Sequence, residues 1–185
     1  MRRYTNTAIL LHWSVAILII ANFILGLTMV DIPGLTPTKL RYFSWHKWVG
    51  ITLFGLATIR ILWRLRHPAP PYLAIMAGWQ QRTASGVHVA LYLLLFAIPL
   101  SGYFYSLAAG VPVMYLGFIP MPIFMDANPY WKPILKQVHY WLNGTLLLSF
   151  SLHLAGVLKH QLIDRDGTLK RMTPSREIES TEGLK

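Results

Sequence analysis

A chain of 185 residues with 54% hydrophobic and 13% charged residues has too few polar side chains for a soluble domain, and its mean hydropathy of +0.43 points to a small membrane bundle. The net charge of +10 is distributed over chain ends and inter-helix segments, so it does not describe a nucleic-acid footprint. The absence of cysteine excludes thiolate iron–sulfur ligation, haem attachment through C-x-x-C-H and any disulfide.

In chain order, residues 8–30 hold no Lys, Arg, Asp or Glu over 23 positions. At 1.5 Å per residue they reach about 35 Å, against roughly 30 Å of hydrocarbon. This run is too long for a secretory h-region and has no clear small-residue cleavage pattern before Asp31, so it reads as a retained helix over 7–30. Asp31, Pro33 and Gly34 end it. A second helix is expected over 38–66, with its first turns outside the hydrocarbon and its spanning part at 45–63. Lys47 and Arg60 interrupt that span near its two ends, and His67, Pro68, Pro70 and Pro71 stop the helix. A third helix over 79–107 has its best spanning part at 86–109, with Pro99 expected to kink it. Prolines 112, 120, 122 and 129, with Tyr115, Phe118 and Phe124, suit a lid over 112–129 resting on the membrane surface. A fourth helix runs over 133–161, uncharged from 137 to 158, and a polar tail with Asp164, Asp166 and Gly167 follows. The expected fold is all-α: an integral membrane four-helix bundle over 1–174, with a disordered polar tail at 175–185 and no internal repeat.

An even number of helices puts both termini on one side. Arg2, Arg3, Arg60, Arg64, Arg66, Arg82, Lys159, Arg165, Lys170, Arg171, Arg176 and Lys185 fall there, against Lys39, Arg41, Lys47, Lys132 and Lys136 opposite. The positive-inside rule therefore assigns both termini to the cytoplasm of a bacterial inner membrane.

His139 and His153 stand fourteen residues apart in the fourth helix, about 21 Å along its axis and about 40° around it. Intramembrane ionisable or ligating side chains read by default as functional. Antiparallel threading gives His46 and His139 a common depth near the outer ends of helices two and four. It gives His12 and His153 a common depth near the inner ends of helices one and four. Two facing imidazoles at each of two levels are a usual way to hold a b-type haem in a bundle core. Zinc or copper would want third and fourth protein ligands that each level lacks. On helix two, His46, Gly50, Leu53, Ala57, Arg60 and Arg64 share a face; Gly50 and Ala57 leave room for a flat macrocycle. Arg60 is placed to meet haem propionates or a quinone head group, or simply snorkels. His88 and His160 lie near the inner surface, either as proton donors at a quinone site or as interface histidines without chemistry. A lone membrane histidine often serves only as a hydrogen-bonding partner; matched depth in two pairs is what favours ligation. His67 reads as solvated, and the seven tryptophans as interfacial anchors.

The chain resembles the bacterial cytochrome b561 family, which is similar to the di-haem cytochrome b subunits of hydrogenases and formate dehydrogenases. The resemblance covers residues 4–174. It is carried by Leu11-His12-Trp13, by His46 through Gly50 to Arg60 with Trp63-Arg64, by His88 with Tyr92, and by His139 with His153. It implies two b haems, ligated by His46 and His139 outside and by His12 and His153 inside. It also implies a superoxide oxidase activity that passes electrons through both haems to ubiquinone. Against Asp31 and Asp126, the five outer cations leave +3, a sign that would steer an anion toward the outer haem or dock a periplasmic redox partner or lipid head groups. Two other functions stay open: a membrane anchor and electron-relay subunit for a separate periplasmic dehydrogenase or electron carrier, and a non-redox transporter or scaffold.

Overall fold

The computed structural model describes residues 3–72 and 76–173. Arg2, Arg176, Lys185 and the tail expected at 175–185 lie outside the described residues. Four long helices follow one another: α1 (Asn6–Asp31), α2 (Pro37–Arg66), α3 (Gly78–Ala108) and α4 (Trp131–Leu158). All four are long and apolar enough to cross a membrane. Local chemistry places their starts. The Thr5 hydroxyl accepts from Ala8 N and the Thr36 hydroxyl from Lys39 N, each at 3.2 Å, and Pro37 supplies the fixed φ suited to a first turn. Asn128 Oδ1 takes the amides of Tyr130 and Trp131 at the start of α4. α3 continues through Pro99.

α1 packs on α2 and α3 packs on α4, with a lighter contact between α2 and α3. Large apolar side chains such as Ile17, Ile24, Leu93 and Leu148 point outward, as expected of helices that meet lipid instead of water. Among the described residues no large side chain is fully sealed inside; the interior is instead floored by small groups such as Ala57, Ser101 and Ser149. The segment between α3 and α4 is not purely irregular. Met114–Tyr115 (β1) pairs antiparallel with Ile119–Pro120 (β2), and Leu116 and Gly117 make the turn at positive φ. Trp48 Nε1 donates to the Met114 carbonyl at 2.7 Å, and the hydroxyls of Tyr115 and Thr52 meet at 3.0 Å, so this hairpin is tied to α2.

At the other end the chain does not trail away after α4. The helix widens into a π-helical turn, Lys159–Asp164, then reverses through Arg165 at φ 49° and Gly167 at φ 76° into a short 3-10 turn, Leu169–Met172. That return segment fastens the terminal side of the bundle. Trp13 Nε1 donates to the Met172 carbonyl at 2.8 Å, Arg171 donates to the Pro71 carbonyl at 2.9 Å, and Arg3 donates to Thr173.

Candidate functional site

The end of the bundle carrying Arg3 and Thr173 is the terminal side, the opposite end the loop side. On the loop side the rings of His46 (α2) and His139 (α4) face each other with centroids 6.3 Å apart and planes at 87°. Each leans on a neighbouring helix through the same device. His46 Nδ1 lies 3.1 Å from the Asn22 carbonyl of α1, which only accepts, so Nδ1 bears the proton. Four residues on from Asn22 stands Gly26, where a Cβ would come within 3.2 Å of the His46 ring. His139 Nδ1 lies 2.9 Å from Ser101 Oγ of α3, beside Gly102, where a Cβ would come within 2.9 Å of the ring. Two glycines thus let two imidazoles approach the neighbouring helices closely. With Nδ1 held as donor in both, each Nε2 keeps its lone pair, the arrangement that orients a ligating histidine.

On the terminal side His12 (α1) and His153 (α4) face each other with centroids 6.2 Å apart and planes at 70°. His88 of α3 joins them, its ring 5.2 Å from that of His153. Above this group Arg60 of α2 donates from Nε to the Tyr92 hydroxyl at 3.1 Å and lies 5.6 Å from the Tyr92 ring centre. Its Nη1 is buried without a hydrogen-bond partner. That guanidinium does not snorkel to the surface; it presents an unsatisfied donor to the interior, where an anionic oxygen would complete it. Arg64 is exposed and lies over the Tyr4 ring at 5.8 Å.

These dimensions discriminate among fillings. Two imidazoles on opposite sides of one metal ion, with metal–nitrogen bonds of about 2 Å and about 1 Å from that nitrogen to the ring centre, have centroids about 6 Å apart. His46–His139 and His12–His153 meet that spacing at 6.3 and 6.2 Å; His88–His153 is too close at 5.2 Å. Among the described residues neither pair has a carboxylate within ion-pair distance, so no tetrahedral metal set forms there. The residues fit a carboxylate-bearing metal macrocycle that the facing imidazoles would hold, and Arg60 Nη1 would meet one of its acidic groups.

A membrane four-helix bundle with facing imidazoles at two depths belongs to the membrane electron-transfer class. The family profile described as prokaryotic cytochrome b561 matches residues 3–175, and the chain belongs to that family of b-type haem membrane proteins. It is 35% identical over 170 residues to cytochrome b561 homolog 2 of Escherichia coli K12, covering 92% of this chain and 90% of that one. It is 30% identical to cytochrome b561 homolog 1 of the same organism, over 96% and 100% of the two chains. A probable superoxide oxidase of Yersinia pestis is 29% identical over 95% and 98%.

The structure brings His46 and His139 face to face on the loop side and His12 and His153 on the terminal side, with His88 against His153 and Arg60 over the Tyr92 ring nearby. Beside Gly50 the space is nearly open: a Cβ there would meet only Asn22 Nδ2, at an ordinary 3.8 Å. The glycines that face the rings are Gly26 and Gly102, which no pattern within a single helix singles out. His160 stands apart from the terminal-side group, bonded through Nδ1 to Asp166 Oδ2 at 2.6 Å and lying 3.1 Å from Asp164. Lys159 completes this cluster at 2.5 Å from Asp164. His67 is exposed and stacks on Trp63 at 4.1 Å.

Proposed function

We propose that this protein is a di-haem b-type cytochrome that oxidises superoxide on one side of the bacterial inner membrane and reduces ubiquinone within it. The observation that carries the reading is the pair of imidazole–imidazole separations near 6 Å at two depths of one bundle. His46 and His139 would ligate the loop-side haem, and His12 and His153 the terminal-side haem. The bound haems would supply one-electron relay chemistry. Two superoxide anions would each lose an electron to become dioxygen, and one ubiquinone would take two electrons and two protons to become ubiquinol.

The protein's own residues would do the rest. Asn22 and Ser101 hold the loop-side imidazoles in the ligating tautomer. Arg60, with Tyr92 behind it, would receive a haem propionate or a quinone carbonyl oxygen, and Arg64 would add a second cation nearby. His88, in ring contact with His153 yet exposed, would hand protons to the quinone, and His160 would do so from further toward the terminal surface. With both termini cytoplasmic by the positive-inside rule, protons would enter from the cytoplasm and superoxide from outside. The loop-side excess of positive charge favours an anionic donor.

The test is a haem count by pyridine haemochrome followed by a superoxide–ubiquinone assay on the purified protein. Two b haems per chain and quinone reduction well above the spontaneous rate, lost in His139→Ala, would support the reading. Two haems with no superoxide-driven rate would favour a relay subunit, because the same positive rim suits an acidic redox protein. No haem would discard the redox reading in favour of a transporter or scaffold.

A further inference from the structure

We propose that Lys47 is the oxyanion-binding group of the loop-side site, receiving either a carboxylate of the haem held there or the small anionic donor itself. This rests on the di-haem reading above and adds a residue whose charge that reading used only as part of a diffuse surface field. Lys47 follows His46 directly in α2, so it shares the depth of the loop-side pair. Its Nζ reaches across to α3 and donates to Ser106 Oγ at 2.9 Å.

Ser106 is 7% exposed, and its hydroxyl proton is committed to the Val111 carbonyl at 2.8 Å. The hydroxyl therefore accepts from the ammonium and cannot neutralise it. The neighbouring chain is buried as well: Leu107, Ala108 and Val113 are 3%, 3% and 2% exposed. A lysine that merely snorkelled would carry its head to water; this one is half-buried and bonded to a buried hydroxyl.

An ammonium has three donors and Ser106 takes one. Among the described residues Lys47 has no carboxylate within ion-pair distance, and the acidic residues of this side, Asp31 and Asp126, are both exposed. A partly buried cation with spare donors and no counter-ion is costly unless an anion completes it. Arg60 Nη1 presents the same unmet need on the terminal side, so each imidazole pair has one cation without a protein counter-ion. Both candidate anions offer the same chemistry, a compact oxygen bearing negative charge beside a ligating histidine.

The experiment uses Lys47→Met, which keeps the aliphatic stem, and Lys47→Arg, which keeps the charge but moves the donors. Haem is counted in wild type and both variants first. Too few haems in wild type would count against the di-haem reading, whereas the Lys47 assignment is judged on differences from wild type. If Lys47 holds a haem carboxylate, resonance Raman of Lys47→Met shows a shifted propionate band for the loop-side haem, and the salt dependence of the superoxide rate stays that of wild type. If it holds the donor, the band stays and kcat/KM falls roughly tenfold with a shallower dependence on salt. Lys47→Arg moves the same readout by less, and carries the test should the methionine variant not assemble. Unchanged propionate bands together with unchanged kcat/KM and salt dependence would overturn the assignment.

Discussion

His139 gives its Nδ1 proton to Ser101, at 2.9 Å, because the Ser101 hydroxyl has already given its own to the Ile98 carbonyl at 2.8 Å. The direction of that bond leaves Nε2 as the free lone pair on the ring that faces His46. Ser101→Ala removes the acceptor. The Ile98 carbonyl, relieved of the hydroxyl, remains within reach of the ring as a poorer substitute. Loss of a partner of this kind costs about 10–100-fold in affinity, and the remaining carbonyl puts the expected loss near tenfold. Haem titration of the reconstituted variant checks it: the loop-side haem should weaken and the terminal-side haem should not. Equal weakening at both levels would separate Ser101 from His139.

Gly26 and Gly102 set a graded comparison. Alanine in a helix gains about 1 kcal/mol over glycine, while overpacking costs about 1–3 kcal/mol. At Gly26 the new methyl would meet Cε1 of His46 at 3.2 Å, a contact that a small ring shift relieves. At Gly102 it would meet Cε1 of His139 at 2.9 Å, and the ring is pinned by Ser101 on one side and faces His46 on the other. Gly26→Ala should therefore sit within about 1 kcal/mol of wild type, and Gly102→Ala should be destabilised and lose loop-side haem. Thermal melts with the Soret spectrum decide it; the reverse order would mean that the rings move freely.

How much of this was legible from the sequence follows from what each feature depends on. Three of the spans needed only uncharged length and the second was read across Lys47 and Arg60 near its ends, while His12, His46, His139 and His153 needed only depth, which rise per residue supplies. What depth lacks is rotation about each helix axis. Hence His88 could be assigned a height but not its contact with His153, and Gly26 and Gly102 carried no signal, because their role depends on which helix each imidazole leans against. The π-turn after α4 and the return of Trp13 and Arg171 to the terminal-side clasp leave no periodic trace, because they are made by single hydrogen bonds to backbone carbonyls.

His88 and His12 both lie beside His153, and their separations predict different consequences of losing them. His12 stands at 6.2 Å, the spacing of two axial ligands; His88 at 5.2 Å is in direct ring contact. His12→Ala and His153→Ala should each lose the terminal-side haem and keep the other. His88→Ala should keep both haems and slow quinone reduction, by about 10²–10⁴-fold if it is a proton donor in the rate-limiting step. Spectra of the three variants separate the roles. Loss of a haem in His88→Ala with retention in His12→Ala would exchange the two assignments.

The His160–Asp166 contact ties the π-turn to the return segment, and its pH dependence has a definite sign. Burial alone would raise the Asp166 carboxyl, but hydrogen bonds from Thr168 and from His160 Nδ1 outweigh it and hold the carboxyl below its usual range. A carboxylate whose folded value is depressed stabilises the fold above its ordinary value, and that contribution fades as pH falls through the lower one. Asp166→Asn should thus lower stability at neutral pH by about 1.5–3 kcal/mol, the worth of a charge-assisted hydrogen bond. The gap to wild type should narrow as the solution is acidified below about pH 4, where the carboxyl of the unfolded chain takes up its proton first, and should close once the folded carboxyl follows at its lower value. Paired melting curves across pH read this directly. A gap that stays constant into acid would show that Asp166 contributes through packing and its bond to the Thr168 amide, with no part for its charge.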